Sequence, residues 1–276
     1  MKTIGLMVNS YKGYKFLELA LKHYKIEWVA SYIIQYGILF DSYQSIKGIC
    51  KEHKVPFVEK ENIDFNVDIV FAVGWQYMIN HIRDNCVVMH DSLLPKYRGF
   101  SPTVTAFING ENELGVTALK PSEKIDEGKI LWQSGIKVTD EVTIKEIYNV
   151  LAQNYFDCFK NILMDKTYER KIYAQTTYSI WRDYEDYFVD WSQGASKIRR
   201  FINAVGFPYL GAKTRFGQFV YEIIRFVNFD CEYHFENPIP GKVFQKRGKE
   251  VDVICGDGII TVELNKELPK LRCRLI

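Results

Sequence analysis

Residues 67–99 read VDIVFAVGWQYMINHIRDNCVVMHDSLLPKYRG. Two apolar runs stand out, over 67–75 and 86–90, and each predicts a buried strand. The first closes on Gly74-Trp75. The second delivers a lone imidazole, His90, to the start of a loop carrying Pro95, Arg98 and Gly99. Ligands of open α/β sheets bind outside the carboxyl ends of the strands. Both endings therefore mark candidate positions for chemistry.

Upstream of this stretch, TIGLMV (3–8), EWVASYII (27–34) and VPFVE (55–59) predict strands, and YKFLELALKHY (14–24) and YQSIKGICKEH (43–53) predict helices between them. Downstream, SPTVTAFING (101–110) predicts a short helix, with Pro102 near its start and Gly110 past its end, before the strand GVTALK (115–120). Such alternation predicts an α/β fold: an open, mostly parallel Rossmann-like sheet with helices on both faces. Thr143 and Glu146 form a T-x-x-E capping box for a helix with Ile144, Ile147, Leu151, Tyr155, Cys158 and Ile162 along one side. WSQGASKIRRFINAVG (191–206) predicts a further helix, with Ser192 as N-cap and Gly206 at its close. Four strand-like runs follow over 218–229, 241–246, 250–255 and 258–264, with Asp257-Gly258 suited to a hairpin turn. The expected organisation is a main domain over 1–180, a linking helix and turn segment over 181–210, and a small C-terminal β domain over 211–276.

The bulk properties narrow the function. A chain of 276 residues with 47% hydrophobic and 25% charged residues has the composition of a soluble globular protein. A formal net charge of +2 lacks the basic excess of a dedicated nucleic-acid binder. Six scattered cysteines form no C-x-x-C pair, which disfavours a zinc site or a disulfide framework and fits a reducing cytoplasm. The apolar run near the N-terminus is too short for a signal peptide, and no run approaches a membrane span. A cytoplasmic protein is expected, with no metal.

A single strand-end histidine is more often a hydrogen-bonded structural residue than a catalyst, so the motif around it carries the weight. HDSLLPKYRG (90–99), followed by SPTVTAFINGENELGVTALKPSEKIDEGKIL (101–131), resembles the formyltransferase family that uses 10-formyltetrahydrofolate. The likeness lies in an H-x-S-L-L-P loop, a G-V-T strand and a D-x-G segment whose Asp126 follows His90 by 36 residues. DIVFAVGWQYMI (68–79) is similar to the family's folate-side strand. The resemblance implies an N-formyltransferase, in which a primary amine attacks a formyl carbon and an oxyanion develops. His90 would be the general base, since imidazole titrates near pH 6.5. Asp126 would orient it. The pterin would lie against Gly74, Trp75, Gln76, Tyr77 and Met78 and against the 122–126 loop with Glu123 and Ile125, and Leu93 and Pro95 would shape the cleft. Core packing is the competing role for Trp75 and Tyr77. Arg98 could bind an anion or pin its loop.

One departure stands out. The family places an asparagine two residues before the histidine to hold the formyl oxygen, and this chain has Val88 there. Protonated His90, a backbone N–H or Asn85 would replace it, or the chain is slow, or the strand is bulged.

YSIWRDYEDYFVDWSQGASKIRRFINAVGFPYLGAKT (178–214) resembles the D-W-x-x-x-A-x-x-I-x-x-x-I-x-A and P-Y-x-G-A patterns of sugar N-formyltransferases and methionyl-tRNA formyltransferases. Only about 65 residues follow P-Y-x-G-A, and the charge excess is weak. Both features favour the sugar enzymes, whose acceptor is an amino deoxysugar on UDP or dTDP. Tyr178, Trp181, Arg182 and Tyr209 are the candidates for a nucleotide pocket, and Asn9, Ser10 and Lys12 for a sugar or diphosphate site. Small polar residues after a first strand also serve as helix caps. An exposed β face near the C-terminus would suit a homodimer. The competing readings are a methionyl-tRNA formyltransferase and a folate-binding protein without transfer activity.

Overall fold

A computed structural model describes residues 2–34, 37–79, 84–166 and 175–276. In chain order its elements are β1 (Ile4–Val8), α1 (Ser10–His23), β2 (Trp28–Ser31), α2 (Ser42–Glu52), β3 (Phe57–Glu59), β4 (Ile69–Val73), β5 (Cys86–His90), β6 (Arg98–Gly99), α3 (Pro102–Ile108), β7 (Glu113–Leu119), β8 (Ile130–Lys137), α4 (Ile144–Leu163), β9 (Tyr178–Ser179), α5 (Ala195–Val205), β10 (Ala212–Phe216), β11 (Phe219–Asp230), β12 (Val243–Arg247), β13 (Glu250–Ile254) and β14 (Ile259–Leu264).

Strands β3-β2-β1-β4-β5-β7-β8 form one sheet in that order. The first five run parallel, and β7 and β8 add an antiparallel edge. The fold is thus the mixed, mostly parallel α/β sheet that the alternating pattern predicts. Parity along the strands separates two faces. Leu6, Val8, Val29, Phe71, Val73, Val87 and Met89 join the main core with residues of α1, α2, α3 and α4. Met7, Trp28, Ala30, Val70, Ala72 and Cys86 face the other way and form a smaller cluster. Among the described residues that second face is covered by the 58–67 and 75–79 segments rather than by a long helix.

The capping box at Thr143 and Glu146 is present, with each side chain satisfying the other residue's backbone N–H. Residues 144, 147, 151, 155 and 158 are buried as the periodicity predicts. Ser192 does not cap α5. The N-cap is Gly194, and the Asp257 carboxylate accepts the Ala195 N–H at 2.8 Å. Ser192 instead bonds Asp190, two residues before it. A remote carboxylate thus takes the capping role, which local sequence cannot reveal.

The C-terminal strands form a second, antiparallel sheet in the order β10-β11-β14-β13-β12. The Cys255 N–H to Gly258 carbonyl bond at 2.9 Å closes the β13–β14 hairpin. Among the described residues no helix is long and apolar enough to cross a membrane.

Candidate active site

Strand β5 keeps an unbroken parallel register with β4, from Val70 opposite Cys86 to Val73 opposite Met89. A bulge is therefore excluded, and Val88 shares a face with His90 because side chains alternate along a strand. The strand is fixed beyond its end as well. Thr117, which lies opposite His90 on β7, accepts from the Leu94 N–H at 3.1 Å and donates to the Ser92 carbonyl at 2.7 Å. Gln133 donates to the Leu94 carbonyl at 2.9 Å. The loop after His90 is thus nailed to the sheet by two buried polar side chains.

His90 is buried, and both ring nitrogens meet acceptors. Nε2 lies 2.8 Å from the Tyr97 carbonyl, and Nδ1 lies 3.3 Å from Asp126 Oδ2. A carbonyl cannot donate, so the hydrogen-bond network assigns a fixed proton to Nε2. Nδ1 is then the nitrogen that faces the carboxylate.

Asp126 reaches that position by a route the strand pattern does not suggest. In the sequence it follows the strand predicted over 115–120. β7 is antiparallel, so its end, Leu119, lies beside Val88 rather than beyond His90. The 120–129 loop folds back along the second face to bring Asp126 to the imidazole. Gly128 permits this reversal, because a Cβ there would sit 1.7 Å from the Lys120 carbonyl oxygen. Asp126 itself adopts φ of 54° and accepts the Gly99 N–H at 2.9 Å.

His90 and Asp126 line a cavity of about 380 Å³ at the carboxyl end of β4 and β5. Gly74, Trp75, Gln76, Tyr77, Met78 and Ile125 line it too, as do Ser10, Lys12, Trp181, Arg182 and Tyr209. Gly74 is required where it stands: a Cβ would meet the Asn9 carbonyl at 2.4 Å, and its φ is 64°. Trp75 and Tyr77 pack edge-on against Tyr32, with Tyr77 half exposed.

Six expected residues stand outside the lining. Leu93 lies flat on the sheet over Gly115 and Gly135, where a Cβ on Gly115 would approach it to 2.6 Å. Pro95 points its carbonyl at Thr177, and Glu123 is exposed. Asn9 is fully buried; its amide donates to the Tyr32 carbonyl, and its oxygen accepts from Ser10 and Ser42. Arg98 pairs with Glu127 at 2.9 Å, so of its two roles the geometry favours pinning the loop. Tyr178 is exposed beside the same glutamate. Asn85, the alternative oxyanion donor, spends its amide on the Phe65 and Val67 carbonyls at the far end of β5.

The structure adds residues that local sequence did not mark. Asp91 lines the cavity next to His90 and forms a buried ion pair with Lys12. Burial pushes the Asp91 carboxyl up, but the Lys12 ammonium, the neighbouring His90 and hydrogen bonds from Lys12 and Thr103 outweigh it and hold it below the usual carboxylate range. Tyr187 lines the cavity, donates to the Gly37 carbonyl at 3.2 Å, and has its phenol pushed up to about 12, chiefly by burial. Tyr209 shares a 2.6 Å hydrogen bond with Tyr148, and burial raises both phenols, so both stay protonated at neutral pH. Two lining groups, Ser10 Oγ and Arg182 Nε, are buried without a hydrogen-bond partner. Such groups are costly unless something occupies the space before them.

Residues 52–161 match the family model described as Formyl transferase, and residues 182–270 match Formyl transferase, C-terminal domain. A methionyl-tRNA formyltransferase of Clostridium novyi is 30% identical over 233 residues, which cover 81% of this chain and 73% of that protein. WlaRD, a sugar 3N-formyltransferase solved in the presence of dTDP and 5-N-formyl-THF, superimposes with a TM-score of 0.65 at 20% identity, covering 98% of this chain and 99% of its own. An N-formyltransferase from Helicobacter canadensis, in complex with folinic acid and dTDP-3-aminofucose, gives 0.67 at 18% identity, with coverage of 97% and 100%. At these identities the two solved structures speak for the fold alone.

Proposed function

The chain belongs to the formyl transferase family, and from that premise we propose that it moves the formyl group of 10-formyltetrahydrofolate to the primary amine of a nucleotide-linked amino deoxysugar, carried on UDP or dTDP. The observation that carries this reading is the His90–Asp126 pair in the wall of a cavity with two kinds of lining. Gly74–Ile79, Leu119–Ser122 and Lys124–Asp126 offer backbone and flat side chains to a folate. Ser10, Lys12, Arg182 and Tyr209 offer hydroxyl and cationic groups suited to a sugar and a diphosphate.

The folate supplies an electrophilic formyl carbon: the amine forms a new C–N bond to it, the bond to the folate nitrogen breaks, and the proton lost by the amine is made good on that nitrogen. The protein's part is to move this proton and exclude water. Nδ1 of His90 takes the proton, Asp126 stabilises the resulting imidazolium, and the Tyr97 carbonyl keeps the ring from turning. Val88 offers no hydrogen to an oxyanion. With Nε2–H held by the Tyr97 carbonyl and Nδ1 against Asp126, the imidazolium supports the oxyanion by its charge rather than by a free N–H, so one ring serves in turn as base and as electrostatic support.

The sugar reading draws support from end-to-end overlap with a sugar 3N-formyltransferase and with an N-formyltransferase solved in complex with dTDP-3-aminofucose. The second reading, a methionyl-tRNA formyltransferase, rests on the 30% identical relative. A spectrophotometric assay of tetrahydrofolate release separates them. It offers 10-formyltetrahydrofolate with UDP- and dTDP-linked amino sugars in one arm and charged initiator tRNA in the other, beside His90→Ala. Turnover with a sugar nucleotide alone is the expected result. Turnover with tRNA alone would overturn it, and folate binding without product in either arm would point to a binder.

A further inference from the structure

The segment 97–99 touches both members of the pair at once. The Tyr97 carbonyl meets His90 Nε2, and the Gly99 N–H meets Asp126 Oδ2. Between them, the Arg98 side chain reaches past the dyad to Glu127, the residue after Asp126, at 2.9 Å. Tyr178 donates to the same Glu127 oxygen at 3.4 Å, and Lys124 lies 3.9 Å from its other oxygen. The segment is itself held as a strand. Arg98 and Gly99 pair with Tyr178 and Ser179, and bonds from the Arg98 N–H to the Thr177 carbonyl and from the Phe100 N–H to the Ser179 carbonyl flank the pair.

Asp126 needs such support. Its positive φ is a conformation that non-glycine residues seldom adopt, and it sits in a hairpin loop that has left its own strand to cross the sheet. A loop of this kind keeps a carboxylate within hydrogen-bond reach of a distant imidazole only where neighbouring contacts over-determine it. The Arg98 side chain is 18% exposed and that of Glu127 31%.

We propose that Glu127 is a positioning residue: clasped by Arg98 and Tyr178, it sets the 120–129 loop so that Asp126 meets His90 Nδ1. The inference rests on the reading of His90 and Asp126 as the proton-transfer pair. Its first test, however, needs no substrate. Across a pH series, a proton held between His90 Nδ1 and Asp126 gives a downfield resonance, identified by its loss in His90→Ala. In Glu127→Ala the proton exchanges with water and the resonance disappears, while the thermal midpoint and far-ultraviolet dichroism stay as in the parent. Glu127→Gln keeps hydrogen bonds to Arg98 and Tyr178 and retains the signal. In the formyl-transfer assay Glu127→Ala lowers kcat by about 10–100-fold, the scale of a misplaced catalytic group, with the KM for the amine unchanged. Arg98→Ala does the same, and the double variant is no worse than either single one. An unaltered resonance in Glu127→Ala would overturn the proposal whatever the enzyme's substrate, as would additive losses in the double variant. A lost resonance in a protein inert toward every amine would leave the clasp standing and remove the transfer reading.

Discussion

The two parts of the cavity lining are built in different ways. Gly74–Ile79 and, with Glu123 left out, Leu119–Asp126 are near-consecutive runs that continue β4 and β7. A second part gathers Ser10 and Lys12 from α1, Ile38 from a loop, Arg182 and Tyr187 from the link between the sheets, Val205 from the end of α5 and Tyr209 from just after it. Long-range bonds stitch these pieces together: the Leu39 N–H to the Pro208 carbonyl at 2.8 Å, Tyr187 to the Gly37 carbonyl, and Lys12 to Asp91. The comparison teaches that a consecutive wall holds its shape through the sheet, whereas a gathered wall depends on each remote contact. The gathered wall is also where the unpartnered Ser10 and Arg182 groups lie. In the proposed function the gathered wall would choose between acceptors, and the consecutive wall would take a common donor.

The largest effect is expected where the walls meet. His90→Ala should lower kcat by about 10³-fold, within the range for loss of a general base, with folate affinity retained when measured by fluorescence titration. A loss of folate binding alongside would mean that His90 belongs to the donor wall alone.

Lys12→Met tests how far the gathered wall rests on one remote contact. It leaves the buried Asp91 carboxylate unpaired and should cost about 3 kcal/mol in urea unfolding at pH 7. The sign of its pH dependence follows from the depressed Asp91 value. The stabilisation is present above the ordinary carboxylate range and is lost as pH falls through the folded-state value. The gap between parent and variant should therefore narrow in acid, and a gap that widens would contradict the pairing.

A crossed pair of variants sharpens the division directly. Arg182→Ala should raise the KM for the amine by about tenfold, the worth of a charge-assisted hydrogen bond, and leave the KM for the folate unchanged. Tyr77→Ala should show the reverse pattern. Variants that raise both constants together would merge the two walls into one. Val88→Asn, at the seam, should raise kcat by about tenfold by supplying an oxyanion donor, since Val88 faces the cavity. The smallest effect is the control: Thr143→Ala removes the α4 cap, costs about 1 kcal/mol of stability, and should leave both KM values as they are.

The order of strands and helices was legible because each buried run or amphipathic period declares itself over a few consecutive residues. The α5 cap was not, because Asp257 supplies it from 62 residues away in sequence. The same division runs through the candidate site. Gly74–Met78 and His90 could be placed by asking which residues follow a buried strand. Leu93 could not be, because the pair Gly115 and Gly135 lets it lie flat on the sheet instead of turning into the cavity. Asn9 reads equally as a ligand or as a cap, and only its bonds to Tyr32, Ser10 and Ser42 decide for the cap.

By itself the sequence determined the mostly parallel sheet, the ends of β4 and β5 as the place for chemistry, and the residue types available there. Those follow from local periodicity and from where polar residues interrupt apolar runs. The tertiary structure alone decided that β7 turns antiparallel, that its loop doubles back to set Asp126 against Nδ1, and that Arg98 grips Glu127 rather than facing the cavity. Strand direction and long-range pairing depend on which surfaces meet after collapse, and no window of consecutive residues contains both partners.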